Sequence, residues 1–117
     1  LERGAAQLAL HDLDTARRDS LMDRLNGRFP GRCVAGSTDP AGFDLVANAT
    51  PLGMRAGDPA PVRLDALVPA QFVADIVTRP EVTPLIAHAR SLGCPTMTGV
   101  DMFNAQADLL VDRILGL

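Results

Sequence analysis

Residues 43–54 read Phe-Asp-Leu-Val-Ala-Asn-Ala-Thr-Pro-Leu-Gly-Met, and this stretch carries the pattern that decides the fold. The apolar run at residues 43–47 predicts a β-strand, and the polar turn at residues 48–51 stops it. The same succession recurs at residues 72–77, where a second apolar run is followed by Thr78. Polar or small residues therefore come directly after short apolar strands.

Outward from this stretch, strands alternate with helices along the whole chain. Residues 54–69 are rich in Gly, Pro and Asp and are predicted to form a surface loop. Thr83 is expected to cap a helix that Pro84 opens and Gly93 ends. Strands are predicted at residues 7–12, 32–35, 43–47, 72–77 and 95–98, and helices at residues 15–26, 84–92 and 101–115, after the tail of an earlier helix at residues 1–4.

This alternation indicates an α/β fold with a mostly parallel sheet. We expect a partial Rossmann-like, doubly wound sheet that lacks its first strand and its glycine-rich loop. With 117 residues, the chain is expected to hold one domain at most. The last predicted helix has a broad apolar face, which is typical of an amphipathic helix that closes a core.

Composition excludes several classes of function. The net charge is −3 and no Lys or Arg run is present, so neither nucleic acid nor an anionic membrane is expected as a partner. No apolar stretch approaches the roughly 20 residues of a membrane span. Cys33 and Cys94 lie far apart without a CxxC motif, which favours buried thiols in a reducing cytoplasm over a metal or disulfide site.

Ligands of parallel sheets bind at the carboxyl ends of the strands, so the candidate residues lie there. Asp12 lies at the end of the first predicted strand, where an acid can bind the ribose hydroxyls of NAD and repel the extra phosphate of NADP. Arg17 could partly offset that repulsion by reaching an adenine face or a 2′-phosphate. An Asp at such a place also serves as an ordinary cap or turn residue. The turn at residues 48–51 can likewise present its backbone to a nucleotide, or form without any ligand.

Several short motifs then occur in one order and at compatible distances. Asn48-Ala49-Thr50 with Gly53-Met54 comes first. It is followed by Asp75-Ile76-Val77 with Pro80, by Thr83-Pro84-Leu85, and by Gly93, Gly99, Met102 and Gln106. Together they resemble the cofactor domain of the shikimate and quinate dehydrogenases over the whole chain. The resemblance implies that residues 1–117 form one incomplete dinucleotide-binding domain, the C-terminal part of a two-domain dehydrogenase. The segment at residues 12–17 resembles the Asp-containing form found in NAD-using members, where NADP enzymes usually show Asn-Arg-Thr.

The resemblance implies an oxidoreductase that transfers a hydride between NAD or NADP and the ring hydroxyl or ketone of a shikimate-like hydroxy acid. It implies cofactor contacts at eight positions, namely Asp12, Arg17, Asn48, Ala49, Thr50, Ile76, Gly99 and Met102. It places Gln106 and Thr78 on the substrate side. Thr78 stands where the family usually has Tyr, which favours a paralogue that acts on a related hydroxy acid.

The family's catalytic Lys and Asp belong to an N-terminal substrate domain, upstream of this chain. This sequence contains no Lys, so we expect no catalytic residue here and an inactive fragment. A homodimer is possible, and no metal is expected. Two other classes stay open: a fragment of a methyltransferase that uses S-adenosylmethionine, and a non-enzymatic nucleotide-binding or regulatory domain.

Overall fold

A computed structural model describes residues 1–2 and 4–116, which fall into two compact units that meet in sequence between Asp39 and Pro40. The first unit contains β1 (Leu8–Leu10), α1 (Thr15–Arg28) and β2 (Cys33–Ala35). The second contains β3 (Leu45–Asn48), a short 3-10 helix (Leu64–Ala66), β4 (Phe72–Asp75), α2 (Pro84–Leu92), β5 (Thr96–Met97) and α3 (Gly99–Leu115).

In the first unit, β1 and β2 pair in parallel, with α1 as the crossover between them. Asn26, near the end of α1, forms two reciprocal hydrogen bonds with Cys33. Its Nδ2 donates to the carbonyl of Cys33 and its Oδ1 accepts from the amide of Cys33, each at 2.9 Å. The side-chain amide thus takes the place of a neighbouring strand along the edge of β2 that faces away from β1.

In the second unit, three parallel strands lie in the order β3-β4-β5. Side chains alternate across this sheet, so Val46 and Val73 are buried while Leu45 and Ile76 on the other face are 58% and 45% exposed. The buried face packs against α2 to form the core, which consists of Val46, Leu67, Val73, Leu85, Ile86, Ala89 and Cys94.

The predicted α/β fold with parallel strands is confirmed. The helix at residues 84–92 has its predicted bounds, because Thr83 caps it by accepting from the amide of Ile86 and Gly93 ends it in the left-handed conformation at φ +86°. Cys33 and Cys94 are both buried, as expected. Burial also raises the pKa of the Cys33 thiol.

Other element bounds differ from the prediction for local reasons. Helix α1 continues past Gly27 to Arg28, since one glycine in the last turn weakens a helix without breaking it. Helix α3 begins two residues early, at Gly99, because Thr98 and Asp101 form a capping box. The loop predicted at residues 54–69 contains the short 3-10 helix.

Near the start of the chain, the amide of Gly4 donates a 3.1 Å hydrogen bond to the carbonyl of Leu1. Arg3, which belongs to the predicted helix tail, lies outside the described residues.

Helix α3 itself is confirmed, but the expectation that its apolar face closes a core is wrong. Phe103, Leu109 and Ile114 are 64%, 69% and 73% exposed. Amphipathic spacing identifies which face is apolar, whereas burial requires an element that covers that face. In the described part of the chain, nothing covers this one.

Candidate functional site

The carboxyl ends of β3 and β4 lie side by side in the second unit. Asn48 and Asp75, the last residues of the two strands, are register partners. The amide of Ile76 donates to the carbonyl of Asn48 at 3.1 Å, which continues the pairing by one residue. The structure therefore brings the predicted turn at residues 48–50 next to the predicted strand end at residues 76–78.

A buried carboxylate joins these two ends to the start of α2. Asp75 is 1% exposed, and its Oδ1 accepts from the side-chain amide of Asn48 at 3.1 Å and from the backbone amide of Val77 at 3.0 Å. Its Oδ2 accepts from the hydroxyl of Thr83 at 2.8 Å. Burial of a carboxylate is tolerated where hydrogen bonds replace water, and three donors from separate places do so here.

All hydrogen-bonding positions of the Asn48 side chain are occupied by partners within the protein. Its Nδ2 donates to the carbonyl of Leu52 and to Asp75, and its Oδ1 accepts from the amide and the hydroxyl of Thr50 at 3.0 and 2.6 Å. Four partners saturate an amide group. Ala49 is exposed and Thr50 half-buried, so these two residues form the accessible part of the turn. Asn48 can therefore affect ligand binding only by fixing the conformation of Ala49 and Thr50.

Gly99 begins α3 directly against the end of β4. A Cβ atom at this position would lie 2.4 Å from the carbonyl oxygens of both Ile76 and Val77, closer than such atoms approach in proteins. Only glycine permits this packing without a shift of the backbone. Ile76 and Thr78 are exposed, and their predicted cofactor and substrate contacts stay predictions.

The two predicted site residues on α3 differ in burial. Met102 is half-buried in the first turn, where its amide donates to the carbonyl of Thr98 at 3.0 Å. Gln106 is exposed in the described structure. Its predicted substrate contact stays a prediction.

Asp12 and Arg17 form a two-point ion pair after β1, in the first unit. Arg17 Nε lies 2.8 Å from Asp12 Oδ2, and Arg17 Nη2 lies 3.1 Å from Asp12 Oδ1. These hydrogen bonds, followed by one from the backbone amide of Asp14, lower the pKa of Asp12 to about 2. Asp12 therefore has the turn role considered above, whereas Asp14 is the residue that caps α1.

Sequence reasoning missed the part played by Asp75. The resemblance gives Asp75 no role of its own, although an acid that ends an apolar strand eight residues before a Thr cap is a detectable signal. Asp75 also adjoins a cavity of about 200 Å³, which is lined mainly by Leu, Pro and Ala side chains of the loop at residues 52–64. Among the described residues, no group of His, Cys, Asp and Glu could hold a metal ion, and no helix is long and apolar enough to span a membrane.

Parallel strands, helical crossovers and polar turns at the strand ends define an α/β protein of the Rossmann-like class. The comparisons with known proteins give a narrower relation. The chain is 38% identical over 111 residues to the quinate/shikimate dehydrogenase (NAD(+)) of Corynebacterium efficiens, covering 89% of this chain and 39% of that protein. It is 37% identical over 114 residues to the shikimate dehydrogenase (NADP(+)) of Pseudarthrobacter chlorophenolicus, covering 92% of this chain and 39% of that protein.

Solved structures agree with these relatives. The quinate dehydrogenase from Corynebacterium glutamicum in complex with NAD superposes with a TM-score of 0.84 at 34% identity, covering 99% of this chain and 43% of that one. The ligand-free 5-ketofructose reductase of Gluconobacter sp. strain CHM43 also gives a TM-score of 0.84, at 28% identity, covering 97% of this chain and 43% of that one. No protein-family model matches.

The chain is thus a homologue of part of the shikimate and quinate dehydrogenases, which confirms the resemblance seen in the sequence. It spans about two fifths of the length of the curated relatives it matches, at 39%.

Proposed function

We propose that this chain is the cofactor-binding part of an NAD(P)-dependent oxidoreductase of the shikimate/quinate dehydrogenase type. The observation that carries the proposal is the arrangement in the second unit, where the turn at residues 48–50, the strand end at Ile76 and the start of α3 at Gly99 adjoin one another. Ligands of parallel sheets bind at this end of the strands. Sequence identity of 38% to a quinate/shikimate dehydrogenase supports the same assignment.

The residues present suit a nicotinamide nucleotide. Ala49 is small and exposed, and Ile76 offers an exposed apolar side chain beside it, which fits the planar face of a nicotinamide ring. We assign Ala49, Thr50, Ile76 and Gly99 to the nicotinamide half, with Asn48 acting through the turn it holds and Met102 packing nearby. When bound, the nucleotide supplies or accepts the hydride.

For the adenosine half we propose Asp12 and Arg17 of the first unit. A carboxylate whose pKa is held at about 2 is ionised across the physiological range and can accept hydrogen bonds from ribose hydroxyls. The same charge repels a 2′-phosphate, so we propose NAD over NADP. Arg17 weakens this discrimination, because its guanidinium is already beside the carboxylate and can pair with a phosphate instead.

For the substrate we propose a shikimate-like hydroxy acid, with Gln106 and Thr78 on the substrate side. Thr78 is exposed and is a much shorter side chain than the Tyr that the family usually carries there. A hydroxy acid of different shape from shikimate is therefore included in the proposal. The likeness to a 5-ketofructose reductase supports this wider range, since that protein is named for a substrate outside the shikimate group.

We propose that residues 1–117 form an incomplete dinucleotide-binding domain whose complement is an N-terminal substrate domain. The relatives are more than twice as long as the matched region, and the apolar face of α3 is exposed along Phe103, Leu109 and Ile114. The chain has no Lys to serve in proton transfer, so by itself it should not oxidise shikimate or quinate. We further propose that the protein is cytoplasmic and forms a homodimer.

The test is an NMR titration of the chain with NAD, NADP and S-adenosylmethionine at millimolar concentration. We expect NAD to shift the amide signals of Thr50, Ile76, Gly99 and Asp12, and NADP to shift them less. Shifts confined to S-adenosylmethionine would replace the oxidoreductase proposal with a methyltransferase. Oxidation of shikimate or quinate by the chain alone would refute its assignment as the non-catalytic part.

A further inference from the structure

We propose that Asp75 is a positioning residue, which fixes the turn at residues 48–52 against the strand end at residues 76–78. One carboxylate receives hydrogen bonds from Asn48 at the end of β3, from the Val77 amide beyond β4 and from Thr83 at the start of α2. It touches no ligand in this scheme and acts through Asn48. The inference deepens the proposed function, because the residues it places are those assigned to the nicotinamide half.

Two successive sets of hydrogen bonds connect Asp75, through Asn48, to the accessible residue Thr50. Asp75 and the carbonyl of Leu52 together use both hydrogens of the Asn48 Nδ2 group, which fixes the orientation of that amide. With the amide so oriented, Asn48 Oδ1 faces the amide and hydroxyl of Thr50. The Thr50 hydroxyl oxygen in turn accepts from the amide of Leu52 at 3.2 Å. The conformation of the turn at residues 48–52 therefore depends on the buried carboxylate of Asp75.

Every buried polar atom in the hydrogen-bond network around Asp75 has a partner. Among the described residues, no buried side-chain nitrogen or oxygen lacks a hydrogen-bond partner. No ion pair to Asp75 occurs in that part of the chain, so the carboxylate is held by hydrogen bonds instead of by a cation. Three donors aimed at one acidic group specify a single geometry, as fully satisfied buried networks do.

The opposite end of the same strands provides a matched comparison. Gln71 is 3% exposed and also makes three hydrogen bonds: its Nε2 donates to the carbonyls of Pro40 and Phe43, and its Oε1 accepts from the amide of Val68. It fixes the amino end of β4, where no ligand is expected. Loss of Gln71 should therefore affect folding stability without affecting the turn at residues 48–52.

The experiment compares Asp75→Asn with Gln71→Met in the 117-residue chain. Asn keeps the size of Asp, but its NH2 group replaces Oδ2 and faces the hydroxyl of Thr83, which must then accept instead of donate. In Asp75→Asn we expect hydrogen exchange at the Thr50 amide to accelerate about tenfold, since loss of a local constraint promotes local opening. NAD affinity should fall about fivefold, with the affected shifts at Thr50 and Ile76.

Gln71→Met is expected to lower the urea midpoint while leaving Thr50 exchange and NAD affinity within about twofold of the wild type. The proposal is overturned if Asp75→Asn behaves in the same way. If Asp75→Asn does not fold, Thr83→Val removes one donor to the carboxylate together with the cap of α2, and Thr83→Ser restores both. Faster Thr50 exchange in Thr83→Val but not in Thr83→Ser supports the proposal, and equal exchange in both overturns it.

The two proposals fail in distinguishable ways. If NAD shifts no signal of the wild-type chain, the proposed cofactor role of the chain fails, while Thr50 exchange still decides whether Asp75 sets the turn. If NAD binds the wild type and Asp75→Asn with equal affinity, the cofactor role stands and the positioning role is refuted.

Discussion

Substitution of Gly99 by Ala gives the sharpest test of the packing at the candidate site. The added Cβ would lie 2.4 Å from two carbonyl oxygens, at Ile76 and Val77, and 2.6 Å from the carbonyl carbon of Ile76. An ordinary contact needs roughly 3.5 Å, so the start of α3 or the end of β4 must move by about 1 Å. Neither obstacle is a flexible side-chain end, because all three atoms belong to the backbone.

The expected cost follows from two opposing terms. Overpacking of this kind costs about 1–3 kcal/mol, whereas Ala in place of Gly in a helix gains at most about 1 kcal/mol. We therefore expect Gly99→Ala to lower the free energy of unfolding by about 1–2 kcal/mol, measured by urea denaturation. In the NMR titration with NAD, the shift at Ile76 should also weaken, since the strand end is displaced.

Gly27→Ala is the matched control. Gly27 lies inside α1, and a Cβ there would meet no atom within 4 Å. Only the helix term remains, so this variant should be more stable by about 0.5–1 kcal/mol. If Gly99→Ala were as stable as the wild type, the close approach of α3 to β4 would be refuted.

Three further predictions concern charge, capping and burial. Arg17→Ala should raise the pKa of Asp12 from about 2 towards its ordinary 3.8, as seen in an NMR pH titration, and an unchanged pKa would contradict the ion pair. Because the folded-state pKa is the lower one, the pair stabilises the wild type above about pH 3.8 and loses that contribution as the pH falls towards 2. Thr98→Ala removes the capping box of α3 and should cost about 0.5–2 kcal/mol in urea denaturation, whereas no loss would show that the helix start is held by other contacts. Ile86→Ala should cost about 2–5 kcal/mol because Ile86 is fully buried, and Ile114→Ala less than about 0.5 kcal/mol because Ile114 is 73% exposed; equal costs would contradict the burial described for α3.

Sequence predicted best the features that depend on neighbouring residues. Helix α2 was predicted with its true bounds because Thr83, Pro84 and Gly93 each act locally on the helix end. The ion pair between Asp12 and Arg17 was not predicted, although the two residues are only five positions apart. The family resemblance extended this reach by placing the turn at residues 48–50 at the site.

Features that depend on distant residues were beyond the sequence. The hydrogen bond between Asn48 and Asp75 joins positions 27 residues apart, and it exists only because the strand register sets these residues opposite each other. The exposed apolar face of α3 shows the converse limit. Spacing marks the face as apolar, but no local signal states whether another element lies against it.

Asn26 has a consequence for how the first unit behaves among its own copies. A peripheral strand with free amide and carbonyl groups invites a passing chain to add to the sheet, which is a common route to aggregation. The side chain of Asn26 hydrogen-bonds both the backbone amide and the carbonyl of Cys33. These two groups are therefore not free to pair with another chain. Asn26→Leu, a replacement of comparable size, removes both hydrogen bonds to Cys33 and leaves this edge of β2 unpaired. We expect this variant to form multimers at concentrations where the wild type does not.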